Sequence, residues 1–274
     1  MGENNLKIFF LFCCWVFIDT ISAQVGNDAI GTRSAAMGGC TSTFSDVWST
    51  NNNQAGLGFV KSLTGGIYYE NRFLLKETGY KAGTLIYPTK KGAFGMSMTS
   101  FGFELYHETK AGLSYGQRLG DQVSLGVQIN YVNVGFSQEY GSRNTLTGAV
   151  GLLVKLNKSL SLGVHIYNPT RSKLATYHDE RITSVMKLGL NYRFSKKVIG
   201  VVETEKDINY SAILKTGVEY HANDVIYLRA GMSTGPVLNT FGIGLKLKEF
   251  NLGIASSYHQ TLGLTPSISL VYTK

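Results

Sequence analysis

From residue 63 onward, apolar and polar residues alternate along the chain. In QVSLGVQINY, Val123, Leu125, Val127, Ile129 and Tyr131 share one face, while Ser124, Gly126, Gln128 and Asn130 share the other. A period of two is that of a β-strand. LTGAVGLLVKL, SLSLGVHIY, MKLGLNYRF and FGIGLKL repeat the pattern, and the second face is almost always polar or glycine. The periodicity predicts about fourteen strands, near 63–71, 79–88, 92–101, 105–118, 122–135, 144–156, 159–167, 182–194, 197–205, 209–220, 224–233, 237–247, 250–257 and 263–273. The ninth has the weakest pattern, because KVIGVVETE does not alternate cleanly.

The connections sharpen this picture. Those after even-numbered strands are tight, around PTKK, LGDQ, NKS, SKK, HAND and KE, whereas the two longest, SQEYGSRN and NPTRSKLATYHDER, follow odd-numbered strands. Short turns at one end and longer loops at the other characterise outer-membrane barrels, and an even strand count places both termini at the short-turn end. A soluble β-sandwich would alternate too, but its outward polar face would carry more charge. Here that face is mostly Gly, Ser, Thr and Asn, and charged residues make up only 16% of the chain. Tyr87, Phe194, Tyr220, Tyr227, Phe250 and Tyr272 fall where strands meet turns, as in the aromatic girdles at lipid interfaces. The expected fold is all-β: a single antiparallel transmembrane barrel.

Composition adds to this. With 32 Gly, 16 Tyr, 14 Phe and 4 Pro the chain suits β-structure, and its net charge of +8 calls for an acidic neighbour. Residues 1–23 read as a cleaved secretory signal, with an apolar run from Ile8 to Ile18 and small residues before Gln24. For an exported chain, lipid headgroups and lipopolysaccharide are better partners than nucleic acid. Cleavage would leave Cys40 as the one cysteine, too few for an internal disulfide.

On the lumen side of the expected strands lie Lys187, Arg193, Lys215, Glu219, Arg229 and Lys246. Facing lipid at mid-depth, each Arg or Lys would cost roughly 2–4 kcal/mol, so these residues support the inside assignment. Nothing in the chain suggests catalysis, a metal or a cofactor. His107, His165, His178, His221 and His259 are scattered, and YHDER, with His178, Asp179 and Glu180, falls in the longest expected loop.

Residues 24–62 fit no regular strand. Their sequence AIGTRSAAMGGCTSTFSDVWSTNNNQAGLGF resembles the N-terminal signature of the FadL-like outer-membrane barrels, which include fatty-acid transporters and the PorV/PorQ-type barrels of type IX secretion. In that family a G-A-R-x-x-x-M-G-G-A stretch precedes an acidic residue and then N-P-A-G-L. Gly31, Arg33, Ala36, Met37, Gly38 and Gly39 match the first part, Asp46 the acid, and Asn53, Ala55, Gly56 and Leu57 the last, with Gln54 in place of proline. The resemblance implies that residues 24–62 fold inside the lumen as a hatch, with residues 63–274 as the wall. Arg33 and Asp46 would then be the charged anchors, pairing with each other or with Glu219 and Arg229. It also implies a Bacteroidota-like outer membrane.

Three functions fit. The short loops and the hatch favour a scaffold subunit of a larger outer-membrane secretion or assembly complex. The alternatives are a FadL-like transporter of a hydrophobic ligand and a small porin.

Overall fold

The computed structural model describes residues 28–136, 141–174 and 180–274, so the expected signal and His178 and Asp179 lie outside the described residues. Fourteen antiparallel strands close into one barrel in chain order. They are β1 (Thr64–Asn71), β2 (Gly79–Pro88), β3 (Gly92–Phe103), β4 (Tyr106–Leu119), β5 (Val123–Phe136), β6 (Ser142–Lys155), β7 (Leu160–Tyr167), β8 (Val185–Arg193), β9 (Val198–Asp207), β10 (Ile213–His221), β11 (Ile226–Thr234), β12 (Val237–Leu247), β13 (Phe250–His259) and β14 (Gly263–Thr273). The seam between β1 and β14 runs from Thr64 opposite Thr273 to Glu70 opposite Ser267, which leaves the sheet without an edge.

Alternation becomes facing. Leu125 and Leu188 point outward, 47% and 41% exposed, whereas Ser124, Gln128 and Asn130 are buried in the lumen. Outward aromatic residues stack near the short turns: Phe94 with Tyr115 and Phe250 with Tyr272 across neighbouring strands, and Tyr192 with Phe194 at the end of β8, at 4.7, 5.2 and 4.9 Å between ring centres. Leu188→Arg puts a charge on the outward band and should cost about 2–4 kcal/mol of insertion free energy at mid-depth. Asn251→Arg, at a lumen mouth, should insert like the native chain. Heat-modifiable migration after folding into vesicles measures both, and equal yields would refute the facing.

Several strand limits differ from those the periodicity predicts. β8 begins at Val185 rather than near 182, because the preceding residues are tied into the β7–β8 connection: Ile182 N–H donates to Ser172 O (3.0 Å) and Ser184 Oγ to Asn168 O (2.6 Å). β10 begins at Ile213 rather than near 209, after a turn in which Asp207 Oδ1 accepts from Asn209 N–H. The weakly patterned ninth strand does form. Its lumen face carries Ile199 and Val201 and then Glu203, Glu205 and Asp207, all buried. The β7–β8 connection turns inward: Leu174 and Ile182 are buried with Val132, Val134, Ala149 and Tyr167 over the long-loop end of the lumen.

Candidate functional site

Residues 28–62 lie within the lumen. They form a short helix α1 (Thr32–Ala36) and two 3-10 turns, Val47–Thr50 and Gln54–Phe59. Short capped turns suit this segment, since Asp and Asn offer the backbone local hydrogen bonds that compete with extended pairing. Asp46 accepts from Trp48 N–H and forms a reciprocal cap with Ser49. Asn53 accepts from Ala55 N–H (3.1 Å), and its amide reaches Ser42 O at 2.5 Å and the wall carbonyls of Leu152 and Val164 at 3.3 Å. Gln54, in the family's proline position, is the first residue of its turn, where proline is also favoured. It uses its side chain instead, donating to Gln128 Oε1 at 2.9 Å while Gln128 donates to Thr50 O at 2.7 Å.

The segment spans the lumen lengthwise. Asp28 meets Arg72 (2.7 Å) at the long-loop end, and Phe59 lies under Lys155 (3.6 Å to the ring centre) near the short-turn end. Its apolar side chains Ile30, Val47, Trp48 and Leu57 form one buried cluster with Tyr68, Tyr80, Ile86 and Ala93 of the wall. Met37 packs on the wall at Gly217, where an added Cβ would lie 2.5 Å from the Met37 Cβ. Gly38 has φ +69, and a Cβ there would sit 2.4 Å from Met232 O, so glycine alone allows this approach to β11. Gly38 N–H donates to Thr240 Oγ1 (2.9 Å). Gly39 lies beside Lys215, and Ala55, Gly56 and Leu57 are buried in the second 3-10 turn.

Two carboxylates of the wall hold the hatch. Glu203 is fully buried and accepts from Thr41 N–H (2.8 Å), Ser42 N–H (2.6 Å) and Ser42 Oγ (2.6 Å). Beside it, Glu205 accepts from Lys215 at 2.7 Å and pairs with Lys187 at 3.3 Å, so the charges of this buried group offset one another. Glu219 binds Arg33 through two bonds of 3.0 and 2.8 Å, Arg229 at 2.7 Å and His221 at 3.0 Å. Arg33 also stacks over Phe44, 4.3 Å from the ring centre. Asp46 makes no direct ion pair with Arg33 and serves as a cap. Burial pushes its carboxyl above the usual range, and nearby Arg33 opposes the shift. Burial likewise pushes the Cys40 thiol up, which suits a packed, unreactive cysteine. Glu203 and Glu205 do not stand out in the sequence as site residues. The signal was the i, i+2, i+4 spacing of Glu203, Glu205 and Asp207, which puts three acids on one strand face.

The two ends of the lumen differ. At the long-loop end a cavity of about 10 Å³ lies between Asp28, Tyr80, Phe101, Glu108 and Lys110. At the short-turn end a vestibule of about 730 Å³ opens below the hatch. Arg33, Asp46, Glu219, His221 and Arg229 form its roof, and Arg193, Lys246 and Lys61 stand around it with Val60, Leu252 and Val271. Three of the turns outside the vestibule are basic and exposed, carrying Lys90, Lys91, Lys158, Lys196 and Lys197, while two others carry Asp121 and Asp224.

This architecture has counterparts among solved structures. The chain is similar in fold to the toluene transporter TodX of P. putida, with a TM-score of 0.71 over 90% of this chain and 99% of that one, at 13% identity. It is also similar to the toluene transporter TbuX of Ralstonia pickettii (TM-score 0.65, 12% identity, 90% and 98% covered). A Pseudomonas aeruginosa FadL homologue gives 0.62 at 12% identity, with 91% and 99% covered. No protein-family signature and no curated protein matches the sequence. The closed fourteen-strand barrel fold is thus the one seen in these two toluene transporters and this FadL homologue. These matches do not extend to the PorV/PorQ barrels, type IX secretion or a Bacteroidota source.

Proposed function

We propose that this chain is an integral outer-membrane transporter of a small apolar molecule, with residues 28–62 as its closed gate. The observation that carries the reading is a pair of apolar clusters inside the lumen, set in a wall otherwise lined largely with small polar residues and beside the Arg72–Asp28 ion pair. Tyr68, Tyr80 and Phe101 of β1–β3 cluster with Ile30 and Trp48 of the hatch, and Val132, Val134 and Tyr167 meet the inward-turned connection. A general porin conducts through a polar, water-filled interior, and such clusters would oppose it. An apolar solute gains free energy by leaving water for such a surface.

The fold supports the same reading, since the similar structures include transporters named for toluene. Short loops favour a scaffold by themselves, but the likeness in fold to those transporters, over 98–99% of their chains, supports transport. Passage would require the hatch to shift, because it blocks the route from the apolar clusters to the vestibule.

The test is uptake of labelled toluene by intact cells with a lipopolysaccharide outer leaflet and no transporter of this kind. Cells that assemble the protein should take it up several-fold faster than cells with an empty vector. Equal rates, with heat-modifiable protein present in the outer membrane, would overturn the reading.

A further inference from the structure

We infer that the short-turn face, centred on the vestibule, is a docking surface for an acidic, extended peptide segment of a periplasmic protein. The inference rests on reading that face as periplasmic, and it does not depend on what the barrel carries.

Three observations carry it. First, cations outnumber acids on this face: Lys90, Lys91, Lys158, Lys196, Lys197 and Lys248 stand against Asp121, Asp224 and Glu249, of which Glu249 lines the vestibule. Arg193 and Lys246 project into the vestibule, and among the described residues neither has a carboxylate partner. Beyond them Lys90, Lys91, Lys158, Lys196 and Lys197 are exposed on three separate turns, where like charges repel unless a partner neutralises them. Second, the vestibule is a recess rather than a charged layer. It measures about 730 Å³ and mixes cations with Val60, Leu252 and Val271, so an entering segment can bury side chains while its carboxylates meet the cations. Third, the recess lies inside the wall. Lipid of the surrounding leaflet reaches the turn lysines, but β8 to β14 separate it from Arg193 and Lys246. A single small anion would need only two of these cations. The positive surface continues from the recess across three turns, a span that a polymer covers.

The roof of the recess gives docking a consequence. Arg33 belongs to the hatch and is held by Glu219 beside Arg229 and His221. A carboxylate brought into the recess competes with Glu219 for Arg33, so a docked segment pulls on the latch that keeps the gate shut.

The experiment uses the full protein in nanodiscs of zwitterionic phosphatidylcholine and a dye-labelled glutamate-rich peptide, read by fluorescence polarisation. Binding should saturate and should weaken as salt rises from about 50 to about 500 mM, because screening shortens the range of the charges. The pair Arg193→Glu and Lys246→Glu should lower affinity roughly tenfold or more, and the pair Lys90→Glu and Lys91→Glu, outside the recess, far less. Heat-modifiable migration of each variant shows that it is folded. Non-saturable binding, or equal loss from the two pairs, would overturn the proposal. So would displacement of the peptide by phosphatidylglycerol vesicles, which would make the face a lipid-headgroup surface, or by inorganic phosphate at low millimolar concentration, which would make it a small-anion site.

Discussion

Deleting Asp28 to Gly58 should convert a nearly silent barrel into a conducting pore. The wall does not depend on the deleted segment: every strand pairs with two wall neighbours, and the β1–β14 seam is complete without the hatch. The lumen does depend on it. Eight strands enclose only enough room for wall side chains, whereas sixteen to eighteen leave a water channel. Fourteen strands lie toward the wide end of that range, and this lumen wall is lined largely with Gly, Ser and Thr. Once the hatch is gone, water reaches Glu203, Glu205, Lys187 and Lys215, so these charges are solvated rather than stranded. Single-channel conductance in planar bilayers should rise at least about tenfold, with unchanged heat-modifiable migration. If the intact protein already conducts like the deletion, the gate does not exist and the porin reading replaces the transporter.

Glu203→Ala should loosen the hatch without opening the wall. Its carboxylate takes two backbone amides and a hydroxyl from Thr41 and Ser42, all at 2.6 to 2.8 Å. Alanine leaves those donors buried without an acceptor and leaves Lys187 and Lys215 facing Glu205 alone. The combined loss is roughly 3 kcal/mol of hatch docking. Brief current bursts should appear where the native protein is closed, and added protease should cut the segment around Thr41 faster. Glu203→Gln keeps an acceptor oxygen and should lie between the two. A variant as closed and as resistant as the native protein would show that Glu203 does not latch the hatch.

The barrel was legible because a lipid-facing strand has to write its facing into the sequence. At Val123 to Tyr131 every second residue is apolar, since a polar group on that face would have no water. The lumen face obeys no such rule. Its residues answer to the hatch, a different stretch of chain, so Gln128 reads as a solvated polar position when it is bonded to Gln54 and Thr50. For the same reason Gln128→Arg, which strand facing alone would pass as harmless, should displace the hatch. The ends of β8 and β10 were hidden in a similar way: Ile182 alternates like a strand residue, but its partners belong to the preceding connection. Glu203 could be placed on a face by its spacing, but its role requires the amides of Thr41 and Ser42, which nothing local announces.

The hatch also bears on the order in which the molecule is made. It comes first in the chain, while the wall closes only when the last strand finds β1. Yet Thr32 hydrogen-bonds Ser269, 237 positions away, and Gly38 bonds Thr240. Contacts that far apart form slowly, because a long loop must close before they add stability. A segment that already offers donors to β12 and β14 gives the late strands a surface to gather on while the sheet is still open. The wall is then assembled around its own contents, and the plug acts as a template before it acts as a gate. Substitutions at Thr32 or Gly38 would accordingly slow closure of the barrel as well as weaken the finished seal.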